Sequence, residues 1–186
     1  MTLRRLWTMA IAAAAALPAV AHGAGTVFGT TAARSCYEAA AYAGGGPGAI
    51  STCDEALQRE QLTGTEHVAT LVNRGILRSR SGDAAGALAD FDAAIARDPD
   101  QADAYLNKGV VLARMPQRWG EALSLFGLAI DKGSSRPELA YYARGVAHER
   151  LGNTAAAYRD YKQANLLAPD WAEPLAELAR FTVRPR

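Results

Sequence analysis

Apolar residues recur along residues 66–170 with the three- and four-residue spacing of an α-helix. In one such segment, Leu88, Phe91, Ala94 and Ile95 fall on a single helical face, and charged residues take up positions between them. This pattern is typical of an amphipathic helix that packs one side against a neighbour. The chain is therefore predicted to be all-α, with seven or eight helices in antiparallel pairs and one further helix near the end.

The same pattern occurs three times. Glycines recur 34 and 36 residues apart, at Gly75, Gly109 and Gly145. Pairs of alanine and an aromatic residue, separated by three positions, recur every 35 residues, at Ala87/Phe91, Ala122/Phe126 and Ala157/Tyr161. A further alanine follows each pair, at Ala94, Ala129 and Ala164. Periods of this length indicate stacked helix pairs, because a single pair cannot bury its own apolar face.

Prolines mark where each copy ends. Pro99 and Pro169 follow the aromatic residue of their copies by eight positions, whereas Pro137 follows by eleven, because the second copy carries an insertion at "KGSSR". Proline lacks the backbone donor that a helix needs and disfavours helix in the residue before it. These positions are therefore predicted helix boundaries.

The repeated motif resembles the tetratricopeptide repeat family. The family signature has a small residue in the first helix, Ala-x3-Phe in the second and proline at the end, and the turns "SGD" and "LGN" stand at the expected places. The resemblance implies a right-handed solenoid of antiparallel helix pairs with a C-terminal capping helix. Its repeats would span residues 66–101, 102–137 and 138–171, and residues 172–186 would form the cap and tail.

The cap is predicted over "WAEPLAELARF". Leu175, Leu178 and Phe181 would cover the last repeat, and the charged residues Glu173, Glu177 and Arg180 would face water. A polar outer face is what a terminal repeat needs.

Residues 22–65 are predicted to form a divergent opening helix pair that contains the only two cysteines. "AISTCDEAL" fits the second-helix pattern, with Cys53 in the aromatic position. The first helix would run across "ARSCYEAAAYA" and end at the glycine-rich turn "GGGPG". Two registers are open for this helix, one with Tyr37 and one with Ala40 in the small-residue position. In both registers Cys36 and Ala40 share one face.

Three roles are conceivable for Cys36 and Cys53. A structural metal site needs four ligands, and the three histidines, His22, His67 and His148, form no recognised spacing with the cysteines. A redox dithiol favours Cys-x-x-Cys, whereas these cysteines are 17 residues apart. An intramolecular disulfide is favoured, because the cysteine count is even and the N-terminus predicts export.

The N-terminus resembles a secretory signal peptide. Arg4 and Arg5 precede an alanine-rich apolar stretch, and cleavage is predicted after Ala21, so that residues 1–21 are removed. A membrane anchor is the alternative, but Pro18 interrupts the apolar run, which falls short of the ~20 apolar residues that a span requires. We therefore expect a periplasmic or secreted bacterial protein without a membrane span after cleavage.

Charge narrows the partner class. Without Arg4 and Arg5, 18 of the 20 Lys and Arg residues remain against 19 Asp and Glu residues, with no basic tail or acidic run. This balance argues against nucleic-acid binding.

No constellation of residues suggests catalysis or a cofactor. The sequence has no Gly-x-Ser-x-Gly, His-Glu-x-x-His or phosphate-binding glycine loop. A solvated position is expected for each carboxylate of the first repeat: Asp83, Asp90, Asp92 and Asp98. The protein is predicted to be neither an enzyme nor a metal- or cofactor-binding protein.

The resemblance also predicts a peptide-binding groove, because the first helices of such repeats line the concave face of the solenoid. In register, this face carries Asn73, Ile76, Arg80, Asn107, Val110, Arg114, Tyr142, Val146 and Arg150. The three arginines favour a ligand with acidic residues or a free C-terminus, because the guanidinium binds carboxylates bidentately. Equally, asparagine and a basic residue at these places can serve only helix stability and solubility.

Chaperone-binding relatives use further basic residues in this groove, and the positions before each Asn-x-Gly or Ala-x-Gly here hold Val72, Leu106 and Tyr142, so chaperone tails are not implied. The leading prediction is a non-catalytic scaffold that binds a protein or peptide in its groove. The alternative is an assembly subunit of an envelope complex that uses its convex face or edges.

Overall fold

The computed structural model describes residues 31–42 and 48–181. These ranges contain nine helices and no strand. The helices are α1 (Thr31–Ala41), α2 (Ala49–Arg59), α3 (Gly64–Arg80), α4 (Ala84–Arg97), α5 (Ala102–Ala113), α6 (Trp119–Asp131), α7 (Pro137–Arg150), α8 (Thr154–Leu167) and α9 (Ala172–Leu178). Helices α1 to α8 form four successive pairs, and α9 packs on α8. The predicted all-α solenoid of helix pairs is confirmed.

The predicted signal peptide, residues 1–21, lies outside the described part of the chain. None of the described helices combines the length and apolar character needed to cross a membrane.

Each repeat closes around a contact between glycine and an aromatic ring. A Cβ atom added to Gly75 or Gly109 would lie 2.6 Å from Cε1 of Phe91 or Phe126, and one added to Gly145 would lie 2.8 Å from Cε1 of Tyr161. All three rings are fully buried. The glycines therefore permit the close approach of the two helices, which explains why the sequence pairs a small residue with an aromatic one in every copy.

We expect Gly109→Ala to destabilise the protein by about 2 kcal/mol, because the new methyl group overpacks the contact with Phe126. Gly127→Ala is the matched control. Gly127 also lies within a helix, but no atom lies within 4 Å of its added Cβ. Alanine is the better helix former, so this control should stabilise by about 0.5–1 kcal/mol. Urea denaturation of both variants measures the difference, and equal effects would contradict the proposed contact.

The turns between paired helices differ in the second repeat. Gly82 and Gly152 have φ of 88° and 80° in the first and third turns. In the longer turn "MPQRW", Gln117 adopts φ of 64° instead. This left-handed conformation is uncommon for a residue other than glycine.

The opening pair replaces the glycine–aromatic contact by a disulfide. Cys36 and Cys53 are bonded, with their Cα atoms 4.9 Å apart, as the sequence predicts. Both cysteines are fully buried, as are Ala33 and Ala40 on the same face of α1, while Tyr37 is partly exposed. Helix α1 presents mostly small side chains, so the crosslink contributes much of what holds it to α2.

Two polar contacts fix the ends of α1. The carboxylate of Glu60 accepts hydrogen bonds from the backbone N–H groups of Ala32 and Ala33, at 3.0 and 3.1 Å. This places negative charge at the helix N-terminus, where the helix dipole favours it. At the other end, Nη1 of Arg80 donates to the carbonyl oxygen of Ala40 at 2.7 Å.

One carboxylate expected in solvent is buried. Asp90 is 2% exposed and accepts hydrogen bonds from Nε and Nη2 of Arg74, at 3.0 and 2.6 Å, and from Nη1 of Arg78 at 2.9 Å. Arg74 also donates to Asp54 on α2 at 2.7 Å. The expectation of a solvated Asp90 is therefore wrong. The arginines of α3 hold α2, α3 and α4 together around this carboxylate.

Candidate functional site

The inner face of the solenoid is formed by the first helix of each pair. Among the described helices, α1, α3, α5 and α7 pack in series, each on the next alternate helix. The successive second helices, α2, α4, α6 and α8, do not pack on one another to the same extent. Because the stack is in contact along the side of the first helices, it curves toward that side. Eight of the nine predicted groove positions lie on α3, α5 and α7, and the ninth, Arg114, directly follows α5.

The apolar positions of the groove differ in accessibility. Ile76 is 3% exposed, whereas Val110 and Val146, at the same place in the next two repeats, are partly exposed. The apolar surface that a ligand could reach is therefore on α5 and α7.

The two predicted amides are buried. Nδ2 of Asn107 donates to the carbonyl oxygen of Asp103, one turn earlier, at 2.7 Å. Asn73 is fully buried, and neither its Oδ1 nor its Nδ2 atom has a hydrogen-bond partner in the structure. An unsatisfied buried amide of this kind costs roughly 1–3 kcal/mol. Because Asn73 is enclosed by the packing, its amide is not available to a ligand on the inner face.

The three predicted arginines each reach back toward the preceding helix pair. Arg80 bonds the carbonyl oxygen of Ala40, and Nη1 of Arg114 lies 3.5 Å from the hydroxyl of Ser79. The guanidinium of Arg150 lies over the ring of Trp119, 5.4 Å from its centroid. The three arginines therefore form a ladder along one edge of the inner face, and Arg114 and Arg150 of this ladder are exposed.

The capping segment covers Tyr142, one of the predicted groove residues of the third repeat. Tyr142 is 3% exposed, and its ring centroid lies 4.8 Å from that of Trp171 and 5.6 Å from that of Tyr161. Burial, together with the negative charge of nearby glutamates, raises the pKa of Tyr142 to about 12. Its hydroxyl therefore remains protonated at neutral pH, and Tyr142 acts as a packed residue at the end of the groove.

The insertion in the second repeat contributes a contact that the sequence pattern did not predict. The Asp103 carboxylate accepts hydrogen bonds from the hydroxyls of Ser134 and Ser135, both at 2.7 Å, and from the backbone N–H of Ser135 at 3.0 Å. Asp103 and Ser134 are both 6% exposed. The two serines of "KGSSR" were the available signal, and they fasten the inserted loop to the start of α5.

Titratable side chains of the third repeat pair with one another and link α7 to α8. Arg144 binds Asp160 with two hydrogen bonds of 2.8 Å, and Nε2 of His148 lies 3.9 Å from the same carboxylate. Burial lowers the pKa of His148, so its imidazole is neutral at pH 7. No cluster of His, Cys, Asp and Glu suited to a metal ion occurs among residues 31–42 and 48–181.

Among known structures, the chain is similar to the first TPR domain of Spaghetti (RPAP3), which was solved bound to the HSP90 peptide SRMEEVD. The match has a TM-score of 0.57 and 24% sequence identity, and covers 61% of this chain and 88% of that domain. No protein-family model and no curated protein matches the sequence. The fold is that of a tetratricopeptide repeat solenoid, as the repeated signature predicts.

Proposed function

We propose that the protein is a non-catalytic interaction scaffold of the bacterial cell envelope that binds a peptide or protein segment in its concave groove. The observation that carries this proposal is the inner face of α3, α5 and α7, where the half-buried Val110 and Val146 lie in line with the exposed Arg114 and Arg150. An apolar floor beside a cationic edge suits an extended peptide, whose side chains alternate in direction.

Export rests on two independent features. Residues 1–21 have the charged start, apolar stretch and small-residue cleavage pattern of a signal peptide. The buried disulfide is of the kind that persists in oxidising compartments. N-terminal sequencing of protein recovered from the periplasm should begin at His22, whereas an intact Met1 would contradict cleavage.

The ligand we propose carries acidic residues or a free C-terminal carboxylate. The arginine ladder supplies positive charge along one edge, where Arg114 and Arg150 are exposed. The similar domain of Spaghetti binds a peptide with two glutamates and a terminal aspartate, which supports this class of ligand for the fold without implying a chaperone as partner.

Replacing Arg80, Arg114 and Arg150 together with alanine should weaken binding of such a peptide by tenfold or more. Each charge-assisted hydrogen bond contributes about 1.5–3 kcal/mol, and about 1.4 kcal/mol corresponds to tenfold in affinity. Calorimetry would compare SRMEEVD, its C-terminally amidated form and its Gln/Asn analogue, together with any envelope protein captured by the mature chain.

The matched control replaces Arg34, Arg59 and Arg97, which are exposed and lie outside the groove positions, with the same change in net charge. Because Arg80 also bonds α1, the double variant Arg114→Ala/Arg150→Ala keeps that contact while testing the edge. Unchanged affinity and unchanged salt dependence in both groove variants would reject the groove, provided circular dichroism shows native helicity.

A second candidate function is supported by the C-terminal end of the solenoid. Leu166, Leu167 and Leu175 are 65%, 44% and 58% exposed there. An apolar edge favours an assembly subunit that joins a larger envelope complex, because exposed apolar patches mark sites of association.

A further inference from the structure

Helix α9 occupies the place of the first helix of a fourth repeat. Ala172 follows Pro169 by three residues, as Ala102 at the start of α5 follows Pro99. Ala179 lies 34 residues after Gly145, in the small-residue position. In every full repeat the first helix packs on its own second helix, but no such helix follows α9 within the described residues.

Both sides of α9 are apolar. On the inner side, Pro174 is buried and Leu178 packs in the core with Phe181, as expected of a cap. The outer side carries Ala172, Leu175 and Ala176, and Ala179, directly after the helix, continues this i, i+3, i+4, i+7 series. All four residues are exposed. Leu175, predicted from its spacing to cover the last repeat, is among them. A helix that is apolar on both sides is typical of one buried between two neighbours.

Charged positions around α9 differ from those of the second repeat in the same way, among residues 48–181. In the second repeat, Nζ of Lys132 lies 2.7 Å from Oδ1 of Asp100 and 5.7 Å from the ring centroid of Tyr105. Asp170 and Leu175 are the counterparts, 70 residues later. Both are exposed, and within the described residues no basic side chain takes the place of Lys132 beside them.

The last turn of α8 extends this surface. Leu166 and Leu167 are exposed, whereas the equivalent positions 35 residues earlier hold Asp131 and Lys132. The substitution of leucines for charged residues therefore occurs in the last described helix pair. An apolar strip therefore runs from α8 onto the outer side of α9.

We propose that this end, formed by Leu166, Leu167 and the outer side of α9, binds an amphipathic helix of another protein in the place that the second helix takes in each full repeat. The repeat register defines its chemistry. In α6, Ala122 precedes Phe126 by four residues and Lys132 follows Phe126 by six. The bound helix carries the same Ala-x3-aromatic-x5-basic pattern, with its basic side chain near the exposed Asp170. This interaction does not depend on the groove.

The test uses a synthetic peptide with the sequence of residues 119–136, stapled on its polar face because a short isolated helix is marginal in water. Fluorescence anisotropy with the mature protein should show saturable 1:1 binding. Leu175→Glu in the protein, or Lys132→Glu in the peptide, should weaken the binding of the peptide about tenfold or more. The first substitution places a carboxylate in the apolar surface, and the second places one beside Asp170.

Leu128→Glu is the matched control, since Leu128 is also an exposed leucine, 40% accessible, but lies on α6. It should bind the peptide as the wild type does, and so should the triple arginine variant, which separates this surface from the groove. Absence of binding, or binding that Leu175→Glu leaves unchanged, would overturn the proposal.

Sedimentation velocity distinguishes a second copy of the chain as the occupant. A monomeric wild-type protein agrees with a heterologous helix. A dimer that dissociates in Leu175→Glu would assign the surface to self-association and overturn the proposal in its present form.

Discussion

Asp90→Ala should lower the free energy of unfolding by about 3 kcal/mol and the Tm by about 10 °C. Its carboxylate is 3% exposed and accepts from both Arg74 and Arg78, whose side chains are 17% and 23% exposed. Removing it leaves two guanidinium groups without their shared partner in a poorly solvated place. We take the lower end of the range for breaking a buried ion pair, because both arginines retain some access to water.

Asp92→Ala is the control for this prediction. Asp92 lies two residues away and pairs with Lys108, but its side chain is 58% exposed. Surface pairs contribute ~0–1 kcal/mol, so this variant should unfold nearly as the wild type does. Thermal denaturation followed by circular dichroism measures both. Similar Tm values for the two variants would show that the buried cluster does not hold α2, α3 and α4 together.

Cys36→Ser/Cys53→Ser should cost about 3 kcal/mol, the value that the chain-entropy model gives for a closed loop of this size. The loss should be local, because each helix pair of a solenoid contacts only its neighbours. Hydrogen exchange should therefore accelerate in α1 and α2 and remain unchanged in α7 and α8. Reduction of the wild-type protein is the parallel measurement.

Two results would contradict this account of the opening pair. The first is the detection of two free thiols, by non-reducing mass spectrometry, in wild-type protein purified from the periplasm. The second is a double variant whose exchange rates in α1 equal those of the wild type. Either would mean that Glu60 and Arg80, which bond the ends of α1, suffice to hold it.

Contacts between residues in fixed repeat positions could be predicted from the sequence. Gly75 against Phe91 follows from the small-residue and aromatic positions of the motif, and the Cys36–Cys53 bond follows from Cys53 in the aromatic position of a chain predicted to be exported. These contacts join the two helices of one pair, whose separation along the chain the motif fixes.

Contacts between pairs could not be predicted in the same way. The motif does not show that Arg80 donates to the carbonyl oxygen of Ala40. Nor does it show that Asp90 accepts hydrogen bonds from two arginines of α3. The spacing of Leu175 predicts that it covers the last repeat, but this side chain is exposed. Both sides of a short helix can be apolar, and only the packing shows which side is covered. The role of the groove residues stays a prediction.

The most direct test of the groove is site-specific photo-crosslinking in the envelope of a bacterial host. A photoreactive phenylalanine analogue would replace Val110, Val146 or the control residue Leu128 on the second helix of repeat 2. Our account predicts a specific adduct from Val110 and Val146, lost in the triple arginine variant, and none from Leu128. An adduct that forms from Leu128 but from neither groove position would contradict it.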